Sequence, residues 1–101
     1  MGLERDLQRK LIQNIKDRFS GCMVLKNDPD YIQGIPDLTV FYKDKWATLE
    51  VKKSARASHR PNQEHYVEKM NNMSFSAFIF PENKEDVLNE LAEHFNGSRT
   101  I

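Results

Sequence analysis

The sequence predicts an α/β (α+β) domain, a mixed central sheet flanked by helices, in the order α-β-β-β-α-β-α. Three observations predict it. Apolar residues recur at helical spacing near both ends of the chain, two apolar runs adjoin across a short charged turn, and a third apolar run stands between two helical segments. A chain of 101 residues has room for one core and one domain, 1–101.

Leu3, Leu7, Leu11, Ile12, Ile15 and Phe19 follow the three-and-four spacing of an amphipathic helix, ended by Ser20-Gly21. Residues 22–26 read as a short strand, and Asn27 to Pro36 (NDPDYIQGIP) as a loop rich in turn formers. Leu38–Tyr42 and Trp46–Val51 flank Lys43-Asp44-Lys45 and read as a β-hairpin. Lys53 to Arg60 is a basic, mobile connection. A second helix opens at Pro61, with Gln63, Tyr66, Val67 and Met70 on one face. Phe75–Phe80 is an aromatic-rich strand closed by Pro81. The last helix, from Lys84 to Phe95, carries a stripe of Val87, Leu88, Leu91, Ala92 and Phe95 between Asn83 and Asn96-Gly97 caps.

Composition bounds the function classes. No apolar run reaches the roughly 18–20 residues of a membrane span, and MGLERDLQRK lacks the apolar core of a signal peptide. Cys22, the single cysteine, excludes an internal disulfide and a multi-cysteine zinc site and reads as a buried core thiol. A cytoplasmic setting is expected. The formal net charge is zero, yet its distribution is uneven. Lys43 to Arg60 holds six Lys or Arg against Asp44 and Glu50, whereas Glu82 to Glu93 holds five acids against Lys84. One end of the fold is thus expected to be basic and another acidic.

The chemistry is concentrated in Gly34-Ile35-Pro36-Asp37 and Glu50-Val51-Lys52. Alternation along a strand puts Glu50 and Lys52 on one face and Leu49 and Val51 on the other. If the hairpin turn is the two residues Lys43-Asp44, Tyr42 pairs with Lys45 and Asp37 stands opposite Glu50, with Cβ atoms about 4.5–5.5 Å apart. A three-residue turn breaks that register. Two carboxylates so close repel unless a cation lies between them, which suits a hard divalent ion such as Mg²⁺, with the Val51 carbonyl available as a further ligand. The ammonium of Lys52 could then orient a water or stabilise charge on a phosphate. The plainer reading of the same residues is a loop carboxylate followed by the wet face of an edge strand.

The combination GIPD … EVKK … Gln63 resembles the PD-(D/E)XK nuclease superfamily, in particular its VRR-NUC and Holliday-junction-resolvase-like branches. The resemblance runs from the first helix to the Phe75–Phe80 strand. It implies a restriction-endonuclease-like αβββαβ core followed by a C-terminal helix. By residue type Asp37 and Glu50 match the metal-binding acids and Lys52 the catalytic lysine. Glu4, on the first helix beside the buried stripe, matches a glutamate that joins the metal site, or is simply a solvated residue near a helix N-terminus. Gln63 matches a helix glutamine that could bond Lys52 or a phosphate, or is an ordinary surface amide.

The expected activity is Mg²⁺-dependent hydrolysis of DNA phosphodiesters, with Mn²⁺ able to substitute. Structure-selective cutting of branched DNA or a Holliday junction leads. A homing or restriction-type cutter and a non-catalytic nucleic-acid-binding module with the same fold are the alternatives. Lys53, Arg56, His59 and Arg60 follow the catalytic strand and, with Lys26, are expected to grip phosphates, or else form a solvated basic surface. Tyr31 could stack on a base or pack against the domain. His59, His65 and His94 are not spaced as metal ligands and read as surface residues. Trp46 and Phe41 read as core or as a subunit contact. Small size and the two-fold symmetry of duplex or junction substrates favour a homodimer, as the resemblance also implies. Compact stand-alone members are common in phages.

Overall fold

A computed structural model describes residues 3–97, without the side chain of Leu3, the first residue of the expected stripe. The element order is the one the sequence predicts: α1 (Leu3–Arg18), β1 (Met23–Lys26), β2 (Leu38–Tyr42), β3 (Lys45–Val51), α2 (Pro61–Met73), β4 (Ser76–Ile79) and α3 (Lys84–Phe95). The sheet runs β1-β2-β3-β4, antiparallel across the first two pairings and parallel between β3 and β4. A parallel pair needs a crossover, and α2 supplies it.

The two sheet faces differ. One presents Leu38, Val40, Ala47, Leu49, Val51 and Ile79, all buried, to Leu11 and Ile15 of α1, to Phe19 just after it, and to Val87, Leu88, Leu91 and Phe95 of α3. The rings of Phe19, Tyr42 and Phe95 meet at centroid distances of 5.1–5.6 Å and close one end of this core. The other face is only partly covered, because α2 lies over β3 and β4. There the buried Thr48 hydroxyl bonds Ser76 Oγ at 2.8 Å, beneath Met70, so a polar pair sits inside with its hydrogen bond made. On β1 and β2 the same face carries Met23, Leu25 and Phe41, which stay exposed.

The turn between β2 and β3 is the two-residue one, with Tyr42 opposite Lys45 and Leu38 opposite Leu49. Lys43 takes φ 57, the left-handed region that a tight hairpin turn demands. Other details depart from expectation. Asn83 occupies the α3 N-cap but its amide turns back to β4, accepting from Phe80 N at 2.8 Å and donating to the Phe78 carbonyl at 3.0 Å. Cys22 is half-buried at the margin of the core rather than within it. His94 is also partly buried, 3.0 Å from Ser74 Oγ and 3.1 Å from the Trp46 carbonyl.

The long 27–37 loop is tied at both ends. Asn27 N donates to the Asp37 carbonyl at 2.8 Å, and Asn27 Nδ2 donates to the Pro36 carbonyl at 2.9 Å and to Thr39 Oγ1 at 2.8 Å. Its middle rests on the start of α2 through Gly34, at φ +91. A Cβ there would lie 2.4 Å from Asn62 Cβ and 2.8 Å from the Asn62 carbonyl carbon, so neither the dihedral nor the space admits a side chain. Gly34→Ala is expected to lower stability by about 1–3 kcal/mol. Urea unfolding of the variant beside the parent measures it.

Candidate active site

The tight hairpin register, continued one residue beyond the ladder, sets Asp37 against Glu50. Asp37 Oδ2 accepts a hydrogen bond from Val51 N at 2.9 Å, which pins the carboxylate to the end of β3. A strand residue points its N–H and C=O toward the same neighbour, so the Val51 carbonyl also faces the Asp37 side.

Glu50 and Lys52 share the α2 face, as alternation requires, and both are buried, at 4% and 8% exposure. Gln63 joins them. Its Oε1 accepts from Lys52 Nζ at 2.9 Å and from Arg60 N at 3.1 Å, while its Nε2 donates to Glu50 Oε2 at 3.1 Å. The reach back to the Arg60 amide is half of a capping box, so the α2 N-terminus and the site are held by one side chain. Lys52 Nζ stands 3.8 Å from Glu50 Oε2. The second carboxylate oxygen, Glu50 Oε1, is buried and has no hydrogen-bond partner among the described residues.

The electrostatics follow from that geometry. The Glu50 carboxyl is raised from 4.5 to about 7: burial is the largest cause, the Asp37 charge adds to it, Lys52 opposes both, and Glu4 adds a smaller upward push. Burial also raises Asp37, against the Val51 hydrogen bond, with Glu4 again pushing up and Lys52 down. Two carboxylates thus share one buried cation in a site that disfavours their joint ionisation. Among the described residues no group of three or more His, Cys, Asp or Glu converges on one point. Glu4 is exposed and borders the site without entering the carboxylate pair.

Around this pair lies an open cleft of about 630 Å³. Lys53, Arg56 and Arg60 line it together with Glu4, Asp37, Glu50, Lys52 and Gln63. Lys26 lies in an adjoining groove that shares Glu4 and Asp37 with the cleft and reaches Val51. Arg5 and Gln8 of α1 also line that groove; no local pattern in the sequence marks them, because their place depends on how α1 sits against the end of the sheet. His59, expected on phosphate, instead turns inward and stacks on Phe78 at 3.9 Å and 11°, with Nδ1 3.7 Å from Glu64 Oε2. With Ala55 N on Glu82 Oε1 at 3.3 Å, this stack holds the Lys53–Arg60 segment, which is therefore tied down rather than loose. The flat Phe78 ring, directly across from Glu50 on β4, is what draws the imidazole in.

Comparison of the chain with protein-family models, with curated proteins and with solved structures gave no match. No helix among the described residues is long and apolar enough to cross a membrane.

A raised carboxyl keeps its proton in the folded state after the unfolded chain has lost it, so stability falls as pH rises between the two values. In chelator, the unfolding free energy is expected to decline from pH 4.5 to about 7 and to level off above. Glu50→Gln should flatten that decline; pH-resolved urea titrations of both proteins measure the slope.

Proposed function

We propose that this protein is a divalent-metal-dependent DNA endonuclease of the PD-(D/E)XK type, selective for branched DNA. The observation that carries the reading is the opposed Asp37–Glu50 pair with one buried, unpartnered carboxylate oxygen. Hard oxygen donors with uncompensated charge fit Mg²⁺. Asp37, Glu50 and the Val51 carbonyl would hold it, with Glu4 at the margin. When bound, Mg²⁺ polarises a phosphodiester and makes its bound water a nucleophile near neutral pH.

The chain's own residues supply the rest. Lys52, fixed by Gln63, offers its ammonium to the attacking water or to the charge gathering on the phosphate. Gln63 is a positioning residue, since it holds both Lys52 and Glu50. Lys53, Arg56 and Arg60 hold flanking phosphates along the cleft, Arg doing so in bidentate fashion. Mn²⁺ is expected to substitute.

Cleavage of a labelled panel in Mg²⁺ or Mn²⁺ tests this: duplex, single strand, flap and four-way junction. Asp37→Ala and Lys52→Ala are each expected to reduce cutting by at least a hundredfold while largely sparing DNA binding. Variants that cut like the parent would overturn the site. A parent that binds DNA and cuts nothing in either metal would be a binding module.

A homodimer is part of the proposal. Met23 and Phe41 pair across β1–β2, Phe41 pairs with the half-buried Trp46, and Leu25 lies on the same face, beyond the reach of α2. This patch, with Met23 59% and Phe41 42% exposed, supports a two-fold contact. Phe41→Glu is expected to shift the sedimenting species from dimer to monomer.

A further inference from the structure

The sequence leaves two uses for Tyr31, stacking on a base or packing against the domain, and the fold removes the second: Tyr31 is 84% exposed. It is nevertheless not on a loose tip. Tyr31 N donates to the Asp28 carbonyl at 3.1 Å, Asp30 N to Asp28 Oδ1 at 2.8 Å, and Ile35 N to the Ile32 carbonyl at 3.3 Å. Asn27 and Gly34 fasten the two sides of the loop to β2 and α2, as described above. An aromatic ring is therefore presented to solvent on a backbone that has already lost its conformational freedom, which lowers the entropy cost of using it.

The loop that carries Tyr31 borders the candidate site, with the ring itself outside the cleft. Pro29, Asp30, Gln33 and Gly34 of the same loop line a cleft with Asp37 and Glu50, and Arg60 and Gln63 form its other side. The charges on the two sides differ. The loop carries Asp28 and Asp30 beside Tyr31, which repel phosphate, whereas the opposite wall carries Arg60, with Lys53 and Arg56 beyond it. A DNA strand with its phosphates on the basic wall would leave its bases on the side of the acidic loop.

We propose that Tyr31 is a stacking wedge that recognises an exposed base-pair face at a branch point, nick or end, and so sets the preference for such DNA over continuous duplex. The inference rests on the nuclease reading of the neighbouring site and adds a residue and a structural cue to it. Stacking on an aromatic side chain is sequence-tolerant, because every base offers a π face. Continuous duplex has no free face to offer, whereas an interrupted stack costs little to open.

The test measures binding in EDTA to three DNAs of one sequence, a four-way junction, a nicked duplex and a continuous duplex. Each carries 2-aminopurine beside the branch, the nick or the equivalent position. Cleavage in Mg²⁺ is measured in parallel. Tyr31→Ala is expected to reduce the junction-over-duplex and nick-over-duplex affinity ratios about tenfold and to abolish the fluorescence change on binding. Tyr31→Phe, which keeps the ring, should retain both. If Tyr31→Ala keeps the ratios and the fluorescence change while the parent cuts DNA, the wedge is wrong and the nuclease stands. If the parent binds but does not cut, the nuclease reading falls, and the metal-free measurements still decide the wedge. A parent that binds none of the three DNAs overturns both.

Discussion

The pairing register of β2 with β3 is the constraint on which the candidate site depends. Side chains alternate along a strand, so a slip of one residue would exchange faces for every residue of the slipped strand. Leu38 and Leu49, buried and opposed, would no longer meet, and Asp37 would leave Glu50. Two devices hold the register. One is the apolar ladder of Leu38, Val40, Ala47 and Leu49 under α1 and α3. The other is the two-residue turn, which places Lys43 at φ 57 without the glycine or asparagine usual there, a conformation that costs about 1 kcal/mol and persists because the ladder demands it.

What this register assembles is unfavourable in isolation. Asp37 and Glu50 converge with Lys52 as the one buried cation between them, and burial itself pushes both carboxyls toward their neutral forms. A fold optimised for stability would put apolar residues there. Gln63 limits the cost by bonding Glu50, Lys52 and the Arg60 amide at once. The unpartnered Glu50 Oε1 is the part of the cost that no described residue relieves. On the proposed reading, a divalent ion relieves it, and the same strain keeps Lys52 oriented for chemistry.

Much of this was legible in the sequence because it rests on periodicity. The apolar stripes of α1 and α3, the alternation in β3 and the proline opening α2 each have a local signature, and the element order followed from them. The juxtaposition of Asp37 and Glu50 was legible only conditionally, because turn length decides it and Lys43-Asp44-Lys45 admits more than one turn. His59 was misplaced because its partner, Phe78, lies far along the chain and meets it only through the β3–β4 pairing. The Asn83 amide turned back to β4 for a similar reason, since the orphan groups at Phe78 and Phe80 compete with the helix for it. Arg5 and Gln8 needed the position of α1 against the end of the sheet, which no local pattern carries.

The central claim is that the Asp37–Glu50 pair is a metal site rather than a strained polar corner. Anomalous diffraction from crystals grown in Mn²⁺ addresses it most directly. The account predicts a peak between the two carboxylates, within about 2.0–2.2 Å of an oxygen of each. A Mn²⁺-containing crystal with no peak there, and Glu50 still paired through Gln63 with Lys52, would contradict it.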